Sequence, residues 1–150
     1  MKKKYLRLTD THLFPWNRIS IVNEIRREDP DGVFITGDIS QCGLTLLADL
    51  EFLLKNISIP LYIVTGNHCY HLSSFEKINT GLRVLCEKYS NFHWMPEAGV
   101  LPLTETVGII GTTGWMDALA GDSRFIKYTI DWFLIKELRR LSGMKERIEY

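Results

Sequence analysis

Leu61-Tyr62-Ile63-Val64 followed by Thr65-Gly66-Asn67-His68 is the stretch whose reading decides the fold. Four apolar residues in a row read as a buried strand, and the polar, metal-competent Asn67 and His68 stand where that strand ends. Two upstream stretches have the same design. Tyr5-Leu6-Arg7-Leu8-Thr9 runs into Asp10-Thr11-His12, and Val33-Phe34-Ile35-Thr36 runs into Gly37-Asp38. Asp10 to Asp38 is an interval of 28 residues and Asp38 to Asn67 one of 29, each the length of about one strand-helix unit of ~30 residues. Three strand ends therefore bring Asp10, His12, Asp38, Asn67 and His68 to one edge of one sheet.

Between these strands the pattern is helical. Ile21, Val22 and Ile25 share a face of a helix over Arg18 to Glu28, which Asp29-Pro30-Asp31-Gly32 ends. Leu46, Leu47, Leu50, Leu53 and Leu54 give Leu44 to Lys55 a broad apolar stripe. Ser73 with Glu76 fits a capping box for a third helix, weakened by Gly81 by up to ~1 kcal/mol and ending before Asn91. Phe92 to Met95 and Thr106 to Ile110 read as short strands with a turn or hairpin between Pro96 and Pro102, and a last helix is expected over about Thr129 to Leu141. The second strand, apolar without alternation, is expected to be covered on both faces. Alternating strands and helices point to an α/β layered fold, and 150 residues without linker or repeat to one domain, 1–150.

Composition narrows the function classes. Lys plus Arg and Asp plus Glu both number 18, so no net field favours nucleic acid or an anionic membrane, and Lys2-Lys3-Lys4 reads as a solvated flank. The three cysteines, Cys42, Cys69 and Cys86, form no CxxC pair; an odd count suits a reducing cytoplasm. No long apolar run follows the N-terminal lysines, and none approaches the ~20 residues of a membrane span. GxxxxGK[ST], GxGxxG and GxSxG are all absent, which removes the main signs of a P-loop, a dinucleotide fold and the commonest serine hydrolases.

Imidazole, carboxylate and amide oxygen together suit Mn, Fe and Zn. In extended backbone Asp10 and His12 project to the same side, so both are expected to grip one metal ion. Asp38 is placed to bridge to a second, and Asn67 to offer that second ion its amide oxygen. Two ions about 3.5–4 Å apart can activate water and clamp a phosphoryl group.

With the three motifs on the page, Asp10-Thr11-His12, Gly37-Asp38 and Gly66-Asn67-His68, the chain resembles the calcineurin-like metallophosphoesterase superfamily from Arg7 to about Leu141. The resemblance implies an α-β-β-α layered sandwich of which these residues form the N-terminal portion. It implies two divalent ions (Mn, Fe or Zn), with Asp10, His12, Asp38 and Asn67 as ligands. His68 would not bind metal; it would contact a phosphoryl oxygen or protonate the leaving group. The implied reaction is hydrolysis of a phosphoester substrate by metal-bound hydroxide. Ile110 to Trp115 resembles a strand-loop of bacterial members, and Trp115 and Asp117 either line a substrate pocket or pack on the sheet edge.

Two departures from the family pattern matter. Cys69 stands where an acid usually follows Gly-Asn-His, and reads as a small buried thiol. No histidine follows His93, whereas the pattern adds further histidines downstream. His71 lies too near His68 to supply one in family order, and His93 reads as a core or surface residue. Incomplete metal sites are therefore expected in this chain alone, as in the N-terminal part of a longer enzyme or in a reduced family member. The alternative to an enzyme is a non-catalytic binding or interaction module on the same scaffold, self-associating through an exposed sheet face.

Overall fold

Four apolar segments pair side by side in the computed structural model, which describes residues 2–114, 127–143, 145 and 146. Strands β1 (Tyr5–Thr9), β2 (Gly32–Gly37), β3 (Leu61–Thr65) and β4 (Phe92–Trp94) form one sheet in chain order, every neighbouring pair parallel. Register runs Leu8 to Ile35, Ile35 to Ile63 and Ile63 to Trp94. Helices α1 (Arg18–Glu28), α2 (Leu46–Asn56) and α3 (Phe75–Lys88) are the crossovers. Strands added in sequence by right-handed crossovers put all three helices on one face.

That geometry sets the burial. Val33, Ile35, Leu61 and Ile63 point to the helices and are fully buried, against Val22, Ile25, Leu46, Leu50, Leu53, Ile78 and Leu82. The other face carries a row of rings, Tyr5, Phe34, Tyr62 and His93, with successive centroids 5.3, 5.1 and 5.0 Å apart. Phe34 and Thr36 are only partly buried. The second strand thus alternates in burial, against the expectation of cover on both faces, because the crossovers share one side. A short ribbon, β5 (Leu101–Pro102) antiparallel to β6 (Gly108–Ile109), follows the single-turn helix α4 (Met95–Ala98).

Helix boundaries depart from the sequence reading where tertiary contacts compete. α3 is capped by Ser74, whose Oγ accepts from Lys77 N–H at 3.1 Å, and not by Ser73. Glu76 makes no box, since the Glu137 carboxylate accepts from the N–H groups of Phe75 and Glu76 at 3.1 and 3.2 Å. Gly81 has a packing reason: a Cβ there would lie 2.2 Å from Leu47 Cδ1, so the glycine lets α3 close on α2. The expected helix over Thr129 to Leu141 is two pieces, α5 (Asp131–Leu134) and α6 (Lys136–Arg140). Between them Ile135 is extended and bridges Ser73, with Leu72 N–H on Leu134 O and Lys136 N–H on Ser73 O at 2.8 and 3.0 Å. Trp115 and Asp117 lie outside the described residues. Among the described residues no helix is long and apolar enough to cross a membrane.

Candidate metal centre

The three polar strand ends meet at the C-terminal edge of the sheet, and parallel pairing continues into them. Asp10 N–H reaches Thr36 O at 3.1 Å, His12 N–H reaches Asp38 O at 2.9 Å and Gly66 N–H reaches Gly37 O at 2.7 Å. Each acid then holds the next loop. Asp10 Oδ1 accepts from Asp38 N–H at 3.1 Å, and Asp38 Oδ1 accepts from His68 N–H at 3.0 Å. The glycines of both motifs leave room for these carboxylates. A Cβ at Gly37 would fall 2.4 Å from Asp10 Oδ1, and one at Gly66 would fall 2.3 Å from Asp38 Oδ1. Gly37 also needs its freedom for a φ of +88°.

With Oδ1 occupied, Asp38 turns Oδ2 towards two imidazoles: His12 Nε2 at 4.0 Å and His68 Nε2 at 3.9 Å. One ligand atom from each of His12, Asp38 and His68 lies within 4.8 Å of the others. These separations are too long for hydrogen bonds and suit three donors around a shared cation. His12 Nδ1 is buried with no hydrogen-bond partner among the described residues. His68 Nδ1 lies 3.3 Å from Gln41 O, which assigns the ring proton to Nδ1 and leaves the Nε2 lone pair facing Asp38. The donor set therefore fits a divalent metal.

Asp10 stands outside this trio, although the sequence paired it with His12. The pairing assumed extended backbone, whereas Asp10 and His12 have φ of +48° and +40°. Asp10 Oδ2 accepts from Thr9 Oγ1 at 2.6 Å; that bond and the Asp38 N–H hold its carboxyl below the usual carboxylate range. Asp10 instead lines an open cavity of about 320 Å³ with Asp38, Asn67, Tyr70, Thr113 and Asp131. Asp38 thus belongs to both the trio and the cavity.

Asp131 is the residue that sequence reasoning missed. Its Oδ1 accepts from Asn67 Nδ2 at 2.8 Å and faces His71 Nε2 at 2.5 Å. Asp131 and His71 are 2% and 3% exposed, and the His71 ring lies 4.4 Å from that of His68. The signal available was an acidic residue amid the apolar positions of the last helix. His93 sits on β4, stacked on Tyr62 as part of the ring row, and burial lowers its pKa.

Cys69 is the buried thiol its position suggested: it is fully buried with Sγ 3.7 Å from Gly37 O, and burial raises its pKa to about 11. Only ~0.1% would be thiolate at pH 8, and the thiolate is the reactive form. Native protein is therefore expected to give Ellman's reagent Cys42 and Cys86, both partly exposed, and to release the third thiol only on unfolding. Rapid titration of three thiols in native buffer would contradict this burial.

A family model described as calcineurin-like phosphoesterase matches residues 4–141. No curated protein and no solved structure matches the chain.

Proposed function

We propose that this chain, which belongs to the calcineurin-like phosphoesterase family, is a metal-dependent hydrolase of phosphoester bonds built on the loops that follow β1, β2 and β3. The observation that carries the reading is the double placement of Asp38, which faces His12 and His68 on one side and lines the cavity with Asp10 and Asn67 on the other. A carboxylate so placed suits a bridge between two cations. Asp10 and His12 would hold the first ion and Asn67 Oδ1 the second, with Asp38 shared. When bound, such ions supply Lewis acidity and an activated water to a phosphoryl group.

The chain's own residues do the rest. Asp10 fixes the β2 loop through Asp38 N–H, and Asp38 fixes the next loop through His68 N–H. His68 in its protonated form keeps Nδ1–H on Gln41 O and presents Nε2–H to the leaving oxygen. One observation favours a second role for this residue: its Nε2 lies within the trio, where it is placed to act as a third ligand.

Mn²⁺ titration and hydrolysis of bis(p-nitrophenyl) phosphate test the reading. Because no histidine follows His93 to complete the ligand set that the family pattern implies, both ions are expected to be held weakly: Mn²⁺ binding short of two ions per chain, and hydrolysis that EDTA stops. Absence of Mn²⁺ binding, or hydrolysis indifferent to EDTA, overturns it, while binding without hydrolysis assigns the chain to the non-catalytic module. His68→Ala separates the two roles of that residue. Affinity kept within about threefold with reduced hydrolysis marks the proton donor, and an affinity loss of about tenfold or more marks the ligand.

A further inference from the structure

We propose that Asp131 is a positioning residue for the metal centre: it fixes which end of the Asn67 amide faces the cavity. The inference rests on the metal reading above. A carboxamide has an oxygen that can ligate a cation and an NH2 that cannot, and the two are nearly the same shape. An unrestrained Asn at a metal site presents the wrong end in part of its population.

In this chain the Asn67 Nδ2 donates to Asp131 Oδ1 at 2.8 Å. An ionised carboxylate only accepts, so it holds the NH2 and rejects the flipped amide, whose oxygen would meet a second oxygen. Asn67 Oδ1 has no hydrogen-bond partner among the described residues and is left for a cation. Asp131 is itself restrained. It is 2% exposed, and the same Oδ1 faces His71 Nε2 at 2.5 Å, with His71 equally buried. The backbone around it is pinned from outside the helix, since Leu72 N–H bonds Leu134 O and Lys136 N–H bonds Ser73 O. Residues 64 positions apart in the chain are thus joined by one carboxylate, and His71 links this group to the ring of His68 at 4.4 Å. Partners of this kind commonly tune metal affinity by 10–100-fold.

The test compares the full chain with Asp131→Ala and Asp131→Asn, and with Asp49→Asn as a destabilised control between α1 and α2. Mn²⁺ affinity by calorimetry and the Asn67 side-chain amide resonances of the metal-free protein are the readouts. Expected is an affinity loss of about tenfold or more in Asp131→Ala, with the Asn67 NH2 resonances moved, and a smaller loss in Asp131→Asn, which keeps the volume and one acceptor oxygen. Asp49→Asn is expected to lose stability while holding affinity within about twofold. Should Asp131→Ala fail to fold, Asp131→Asn carries the comparison. Affinity and Asn67 resonances unchanged in the folded Asp131 variants overturn the inference and leave the metal reading intact, as does an equal affinity loss in the Asp49 control. A wild-type chain that binds no Mn²⁺ overturns the metal reading, and this inference with it.

Discussion

Asp38→Asn is expected to weaken Mn²⁺ binding by about 100-fold or more, roughly 2.8 kcal/mol, and to remove any metal-dependent hydrolysis. The substitution is nearly isosteric, so its effect is on charge and donors. The remaining oxygen can still accept from His68 N–H, which Asp38 Oδ1 does at 3.0 Å. The new NH2 would occupy the place of Oδ2, which faces His12 and His68 at 4.0 and 3.9 Å. A pair of N–H donors there repels a cation where a lone pair attracted it. One negative charge also leaves a cavity that Asp10 and Asp131 share. Stability of the metal-free protein is therefore expected to stay within about 1 kcal/mol or to rise, because like carboxylates repel at a functional site. Calorimetric titration with thermal melts checks both halves. Unchanged affinity together with unchanged hydrolysis would take the centre out of the enzyme reading.

Arg18→Met is expected to cost about 3–5 kcal/mol of stability, a large share of the roughly 5–15 kcal/mol that holds a domain together. Arg18 opens α1, and its Nη2 lies 2.5 Å from Asp49 Oδ1 on α2, where Asp49 is fully buried. The contact is an ion pair without hydrogen-bond alignment, and neither Asp49 oxygen has a hydrogen-bond partner among the described residues. Arg18 also lies over the Phe52 ring, 5.6 Å from its centroid. Removing the arginine leaves a carboxylate in the core with no counter-charge among the described residues, which is the expensive half of a buried pair. Arg18→Met with Asp49→Leu is expected to recover most of the loss, since two apolar side chains leave no buried charge. Urea unfolding of the four proteins gives the coupling directly. A single-variant loss below about 1 kcal/mol would mean that Asp49 is solvated after all.

The strands and crossovers were legible because each is a local pattern. Leu61 to Val64, Val33 to Thr36 and Tyr5 to Thr9 are apolar runs bounded by turn residues, and nearly thirty residues separate successive strand ends. The α1 boundaries follow from Asp29-Pro30-Asp31-Gly32 and one apolar stripe. What could not be read was decided by partners far along the chain. Ile130, Phe133, Leu134, Leu138 and Leu141 keep a helical period, yet Ile135 leaves the helix to pair with Ser73, and Ile130 and Phe133 are each 58% exposed. Ser74 takes the cap because Glu137, more than sixty residues on, occupies the adjacent N–H groups. The strand rule that projected Asp10 and His12 to one side assumed extended backbone, whereas both have positive φ; it is that premise, and not their shared place at the strand end, that the sequence could not supply. Asp131 was invisible for the same reason as Glu137: its partners, Asn67 and His71, stand on another loop.

The hand-over of each strand-end acid to the next loop separates two pressures on one side chain. Asp10 and Asp38 hold backbone N–H groups whether or not an ion arrives. Gly37 and Gly66 are in turn the only residue type that leaves those carboxylates room. A descendant that gave up chemistry would still need all four to keep its loops in place. These four letters are thus inherited as architecture, and a surviving Asp10, Gly37-Asp38 or Gly66 testifies to the fold. Loss of activity would be written first at His12, whose Nδ1 has no hydrogen-bond partner among the described residues, whereas His68 also holds Gln41 O through its own Nδ1.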